Sequence, residues 1–325
     1  MQQTNNQFVS RRKFLGFAGA ATGLALLPSA KADTPSAKPT VAPLGVYTAT
    51  LGKYTVTSLL DGVIPLSRGF FFGDDAAIDE VFTKMGQSKE GFIPSPINTF
   101  LLKSDEKNIL VDAGMGAITQ LGEGYGQMSA ALHGAGLTVD DIDTVIITHA
   151  HPDHAGGLLD GNGDPVFKNA ELIINEAELK FWTDEGNAAQ ADDGFKWIFE
   201  FAQQFTKKYG DQLTQVASGK EILNGITLEA APGHTPGHTI LRVDGGEKQF
   251  MMVADLLHST ELYTAIPDVG FGFDVDSKLA AETRLKLFDQ LSTDETVIVG
   301  SHIHFPGYGK ILKSSTGYHY MPVTV

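Results

Sequence analysis

Four potential metal ligands crowd into Thr148-His149-Ala150-His151-Pro152-Asp153-His154-Ala155-Gly156-Gly157. Three more, His234, Asp255 and His302, follow far downstream, each just after an apolar, strand-like run. Seven such groups are enough for two metal ions in one cleft. Imidazole with carboxylate suits zinc first, with manganese, iron or cobalt as alternatives, whereas magnesium or calcium would call for an all-oxygen site. A pair of divalent ions activates water for attack on esters, lactones and phosphoesters, so the chemistry to expect is hydrolysis.

The elements around these residues must deliver them to one place. His149 and His151, two apart past the apolar run at 144–147, point to the same side if the backbone stays extended. Pro152 stops the ladder and suits the first turn of a helix, which sets Asp153 and His154 at a helix start beside that pair. Gly156 and Gly157 let the backbone pass close to something bulky. Strand patterns over 54–60, 99–102, 108–111 and 144–147 are followed by 226–230, 239–243, 249–254 and 296–299. Helical patterns cover 126–133, 176–182, 192–209 and 276–291, the last with Leu279, Arg284, Leu285 and Leu287 after a capping Asp276 or Ser277. Two sets of strands with helices between them predict an α/β domain of two sheets packed face to face under outer helices. His234 comes through Pro232-Gly233 after 226–230, Asp255 after 249–254 and His302 after 296–299, and ligands in such sheets collect at carboxyl ends of strands.

Other candidates carry competing readings. His133 and His319 read as surface or structural imidazoles, His238 as a brace for the loop of His234, and Asp112 as a support for the metal-bearing loop. His304 faces the same way as His302 on an extended segment, so spacing alone leaves that choice open. Pocket walls near such metals are apolar and aromatic; Phe72, Trp182 and Phe195 are the candidates, each with core packing as the alternative, and His258 lies close behind Asp255.

The net charge of −15 argues against nucleic acid and anionic membranes, and the absence of cysteine removes disulfides, thiolate ligands and a thiol nucleophile. Ser10-Arg11-Arg12-Lys13-Phe14-Leu15, a short Gly/Ala-rich apolar stretch and Ala30-Lys31-Ala32 read as a twin-arginine leader over 1–32. Export to the periplasm follows, with no membrane attachment of the mature form. A Pro/Ala/Thr-rich arm over 33–45 precedes one domain over 46–325.

The His-x-His-x-Asp-His run, the isolated His, the later Asp and the final His make the chain resemble the metallo-β-lactamase superfamily. Within it the likeness is to methyl parathion hydrolases and their lactonase and arylesterase relatives. Val111-Asp112-Ala113-Gly114, Gly233-His234-Thr235-Pro236-Gly237-His238-Thr239 and Ser301-His302-Ile303-His304-Phe305-Pro306-Gly307 carry it further. The resemblance implies an αβ/βα sandwich of two mixed sheets. It implies one metal on His149, His151 and His234, a second on Asp153, His154 and His302, and Asp255 between them. It prefers His302 over His304. A hydroxide shared by the pair would attack the substrate, with Asp255 or Asp153 accepting or relaying a proton. His258, where the parathion-cleaving enzymes look aliphatic, and Thr119, where they look aromatic, move the expected substrate toward lactones or aryl esters, with phosphotriesters as a side activity. A homodimer is expected on the same ground. The alternatives on this scaffold are a thiol-linked thioesterase or mononuclear iron persulfide dioxygenase, and a silent metal-binding protein.

Overall fold

The computed structural model describes residues 45–104, 107–315 and 317–325. The leader expected over 1–32 and all of the arm but Gly45 lie outside the described residues. The first half runs β1 (Val46–Leu51), β2 (Tyr54–Ser67), β3 (Phe71–Phe72), α1 (Asp75–Lys84), β4 (Phe92–Lys103), β5 (Asn108–Val111), α2 (Met128–Gly134), β6 (Thr144–Ile147), α3 (Pro152–Ala155), β7 (Glu171–Asn175), α4 (Glu176–Thr183), α5 (Glu185–Gln190), α6 (Lys196–Tyr209) and β8 (Leu213–Val216). The second half runs β9 (Lys220–Leu223), β10 (Ile226–Ala230), β11 (Thr239–Asp244), β12 (Gln249–Met252), α7 (Thr260–Ala265), β13 (Gly270–Phe271), α8 (Ser277–Thr293), β14 (Val297–Val299), β15 (Tyr308–Ser314) and β16 (Gly317–Pro322).

These strands form two seven-stranded sheets, ordered β1-β2-β4-β5-β6-β7-β8 and β16-β15-β14-β12-β11-β10-β9, with β3 and β13 as a separate pair. Both sheets are mixed: β5 to β8 run parallel in one, and β12 runs parallel to β14 in the other. Strand alternation explains the layering. Ile109, Val111 and Ile146 face Leu228, Leu241, Phe250 and Met252 across the seam between sheets. Leu110, Val145 and Ile147, one residue out of step, join an outer core with Leu132 of α2, Leu179 of α4 and Phe199 of α6. Ile240, Met251 and Ile298 do the same on the far face with Phe82 of α1 and Phe288 of α8. A strand buried on both faces must be apolar throughout, which is why 144–147 reads as a continuous run.

The structure departs from the sequence expectation at one place near the site. β12 stops at Met252 rather than 254, because Ala254 takes a positive φ of 43° and turns the chain into a short 3-10 turn, Ala254–Leu256, that carries Asp255. In α8, Asp276 is the N-cap and accepts from Leu279 N, but Leu279 and Leu285 are 37% and 39% exposed while Arg284 is only 2% exposed. The inward face of that helix is Ala280, Ala281, Arg284, Leu287, Phe288 and Leu291.

Candidate metal centre

β6 ends at Ile147 and β14 at Val299, with β10 and β12 finishing at the same edge of the sandwich, so loops from both sheets meet there. Thr239 joins them, its N and Oγ1 donating to Thr148 O at 3.1 and 2.9 Å. Pro152 occupies the first turn of α3, so Asp153 and His154 leave a fixed helical backbone. Gly157 answers the expectation of a close approach: a Cβ there would lie 2.1 Å from Ala113 O, so the ligand loop is pressed against the turn after β5.

Two groups of ligand atoms converge, His149, His151, His234 and Asp255 in one and Asp153, His154, Asp255 and His302 in the other, with the atoms of each group within 4.8 Å of one another. In the first, His151 Nδ1 stands 3.2 Å from His149 Nε2 and 2.9 Å from His234 Nε2. Asp255 Oδ2 lies 3.2 Å from His234 Nε2 and 3.6 Å from His149 Nε2. In the second, Asp255 Oδ1 is 2.9 Å from His154 Nε2 and 3.3 Å from His302 Nε2, and Asp153 Oδ2 is 3.3 Å from His302 Nε2. The two oxygens of Asp255 therefore face different clusters.

The hydrogen bonds behind the rings fix which nitrogens face the clusters. His154 Nδ1 lies 2.8 Å from Asp112 Oδ2, His234 Nδ1 2.9 Å from Asp274 Oδ1 and His302 Nδ1 2.8 Å from Pro96 O, so each Nδ1 carries hydrogen and each Nε2 points inward, where it takes either a proton or a cation. His154 Nε2, His302 Nε2 and Asp255 Oδ1 are buried without a hydrogen-bond partner. Lone pairs aimed at one another in a dry site demand a positive charge between them, and a divalent cation at each cluster meets that demand. The donor set therefore fits two divalent metal ions.

The titration behaviour agrees. Burial and the neighbouring imidazoles hold His149 and His151 well below the ordinary histidine range, as neutral ligands. Burial opposes charge on His302 and His234 too, but there the Asp255 carboxylate, with Asp153 and Asp274 respectively, lifts them to about 10 and about 9. Protons stand in for cations at these positions. Burial would raise Asp255, but His154, His302 and the other imidazoles hold it far down, as a carboxylate.

The supporting residues take the places the sequence suggested for them. Asp112 accepts from Thr148 N at 2.9 Å as well as meeting His154, and its φ of 61° is one of few positive values at non-glycine residues. His238 donates from Nδ1 to Ala231 O and accepts at Nε2 from Asp255 N. His304 is turned away, paired at 3.2 Å with exposed Glu261. Not foreseen were Asp274, Asn98 and Glu178. Asn98 Nδ2, on β4, donates to Gly300 O and Ile303 O, so one sheet clamps the His302 loop of the other. Nothing in the local sequence around Asn98 points to that contact.

Above the clusters opens a cleft lined by Ile64, Pro65, Leu66, Phe70, Leu121, Phe271 and Phe273 around His151, Asp153, His234, Asp255, His258 and His302. His258 lies where expected, with Nε2 3.0 Å from Asp255 Oδ2, Nδ1 3.0 Å from Tyr263 Oη and its ring stacked 4.0 Å from Phe271. Three expected walls do not line this cleft. Trp182, 1% exposed, packs edge-on behind His151, because its Nε1 is drawn inward to Glu178 Oε1 at 2.7 Å. Phe195 backs Phe273 from a layer further in, and Phe72 is taken up by pairing with Gly270. The walls come instead from Phe70, Phe271 and Phe273, held as a tilted aromatic group.

This chain belongs to the metallo-β-lactamase superfamily, whose profile matches residues 93–302. Among solved structures it is similar to AidC, a dizinc quorum-quenching lactonase in complex with a product, with 29% identity and a TM-score of 0.79 over 86% of this chain and 98% of that one. It is equally similar to AbOPH, a hydrolase of the beta-lactamase superfamily, with 27% identity and a TM-score of 0.79 over the same shares. An N-acyl homoserine lactonase from Bacillus sp is 26% identical over 226 residues, 64% of this chain and 81% of that relative.

Proposed function

We propose that this protein is a metal-dependent hydrolase that opens lactones bearing an apolar tail, with N-acyl homoserine lactones as the first class to test and aryl esters as the second. The observation that carries the reading is Asp255, one carboxylate turned to two His/Asp clusters at the floor of an apolar cleft. His149, His151, His234 and Asp255 Oδ2 would hold one ion, and Asp153, His154, His302 and Asp255 Oδ1 the other, zinc being the first choice. Bound there, the pair supplies activated water and polarisation of the carbonyl. The lactonase relatives support this substrate class.

The chain's own residues supply the rest. Phe70, Phe271, Phe273 and Leu66 exclude water and take up the acyl or aryl part. Asp153, at the cleft and held as a carboxylate because His154 and His302 outweigh its burial, is placed to accept a proton and return it to the departing alkoxide. His258 donates to Asp255 and so holds the shared carboxylate in register. Phosphotriester cleavage fits the same floor as a secondary activity. Export is supported by Arg11-Arg12 and the Ala30-Lys31-Ala32 site, and periplasmic fractionation of a tagged full-length chain checks it. A homodimer is the assembly to look for by light scattering.

The decisive experiment is to purify the protein with zinc, verify two equivalents per chain, and assay N-hexanoyl homoserine lactone, dihydrocoumarin, phenyl acetate and methyl parathion. Lactone turnover that vanishes with a chelator and returns with zinc is the expected result. Fully loaded protein that opens no lactone sinks the substrate class.

A further inference from the structure

Glu178 is a carboxylate with no access to solvent, seated in the first turn of α4 between the two loops that bring in His149, His151 and His234. Its Oε1 accepts from Ala150 N at 2.9 Å and from Trp182 Nε1 at 2.7 Å. Its Oε2 accepts from Thr235 Oγ1 at 2.6 Å and from Gly237 N at 3.0 Å. Ala150 lies between His149 and His151, and Thr235 follows His234, so one carboxylate grips the backbone on both sides of the first cluster. The fit is tight: a Cβ on Gly237 would lie 2.0 Å from Glu178 N, so only glycine lets the His234 turn press against the helix. No comparable bond runs from Glu178 to Asp153, His154 or His302.

We infer that Glu178 is a positioning residue that selectively sets the metal affinity of the His149/His151/His234 position, a statement that rests on the two-ion reading above. Three of the four partners, the Ala150 and Gly237 N–H groups and the Trp182 indole, can only donate, so a neutral amide would turn its NH2 against at least one of them whichever way it faced. Burial raises the Glu178 carboxyl above its ordinary range, and the donated hydrogen bonds offset that only in part. What the side chain does is geometric: by gripping Ala150 on one side and Thr235 and Gly237 on the other, it fixes the spacing of the three rings.

The test uses the full-length mature protein, stripped of metal and titrated with zinc against a chromophoric chelator, with cobalt absorption as an independent report on ligand geometry. Wild type should take up two equivalents. Glu178→Gln and Thr235→Val should each weaken one equivalent, by roughly 10- to 100-fold, and leave the other unchanged; Thr235→Ser, which restores the hydroxyl, should recover it. In a His302→Ala background, which damages the second position, Glu178→Gln should remove the remaining tight equivalent. Should Glu178→Gln not fold, Thr235→Val decides alone. The inference is overturned if the folded variants bind both equivalents as wild type does, or weaken both alike. Wild type that binds fewer than two ions would instead overturn the two-ion reading, and the two failures are thereby told apart.

Discussion

Asp255 serves both clusters because the chain turns sharply at Ala254, where the positive φ swings the following side chain out of the strand's alternation and into the seam. Replacing Asp255 by Ala should therefore lower metal content below two per chain and cost more activity than the roughly 100-fold expected for losing a supporting hydrogen bond. Metal analysis beside a lactone assay reads both. Asp274→Asn is the milder case. It weakens the bond that orients His234 Nδ1 and should reduce zinc affinity by roughly 10-fold or more, with the fold intact by circular dichroism. A third expectation concerns protons. His234 and His302, at about 9 and about 10, are protonated near neutral pH when carboxylates alone face them, so zinc must displace those protons on binding. Calorimetry in buffers of different ionisation enthalpy should show proton release near pH 7, shrinking as the pH rises through those two values; equal heats in all buffers would contradict it. At this scale the seven ligand candidates were legible because most lie in one local motif or directly behind an apolar run. Trp182 was not legible as a brace, since its partner Glu178 is one turn away and nothing in composition tells an inward from an outward indole.

At the scale of elements, the helical period of α8 was legible but its inward face was not: Leu279 and Leu285 are exposed, and the inward position is taken by Arg284. Its guanidinium donates to Leu256 O, Pro267 O and Val269 O and lies 4.2 Å from the Tyr263 ring centroid. The helix thus ties down the chain that carries Asp255 and the turn before β13. Arg284→Leu strands those three carbonyls and should destabilise the protein by about 2–4 kcal/mol, seen as a lower urea midpoint. Because Leu256 is next to Asp255, the same variant should also bind zinc more weakly, whereas Leu285→Gln on the exposed face should change neither. The short strands β8, β9 and β16 were not legible for a related reason. They are half-exposed edge strands, Leu213–Val216, Lys220–Leu223 and Gly317–Pro322, whose mixed polar residues give no clear period; β8 is defined by pairing with β7 far back along the chain, and β9 and β16 by hairpins with β10 and β15.

Across the whole molecule the candidate ligands divide by sheet. His149, His151, Asp153 and His154 follow β6 of one sheet, while His234, Asp255 and His302 follow β10, β12 and β14 of the other. The inter-sheet core is apolar and non-directional, so it fixes the distance between sheets better than their register. The Thr239–Thr148 and Asn98–Ile303 bonds set that register at the top edge, and ions held from both sides would lock it. Binding energy available only to the folded chain adds to its stability, about 2.7 kcal/mol for each ion present at 100 times its dissociation constant. Stripping the metals should consequently lower the melting temperature and expose amides to exchange first in 148–157, 231–238 and 300–307, with the cores under α6 and α8 still protected. Uniform loss of protection would instead mean that the centre and the sandwich unfold as one unit. No change on stripping would mean that the protein's register does not depend on the ions at all.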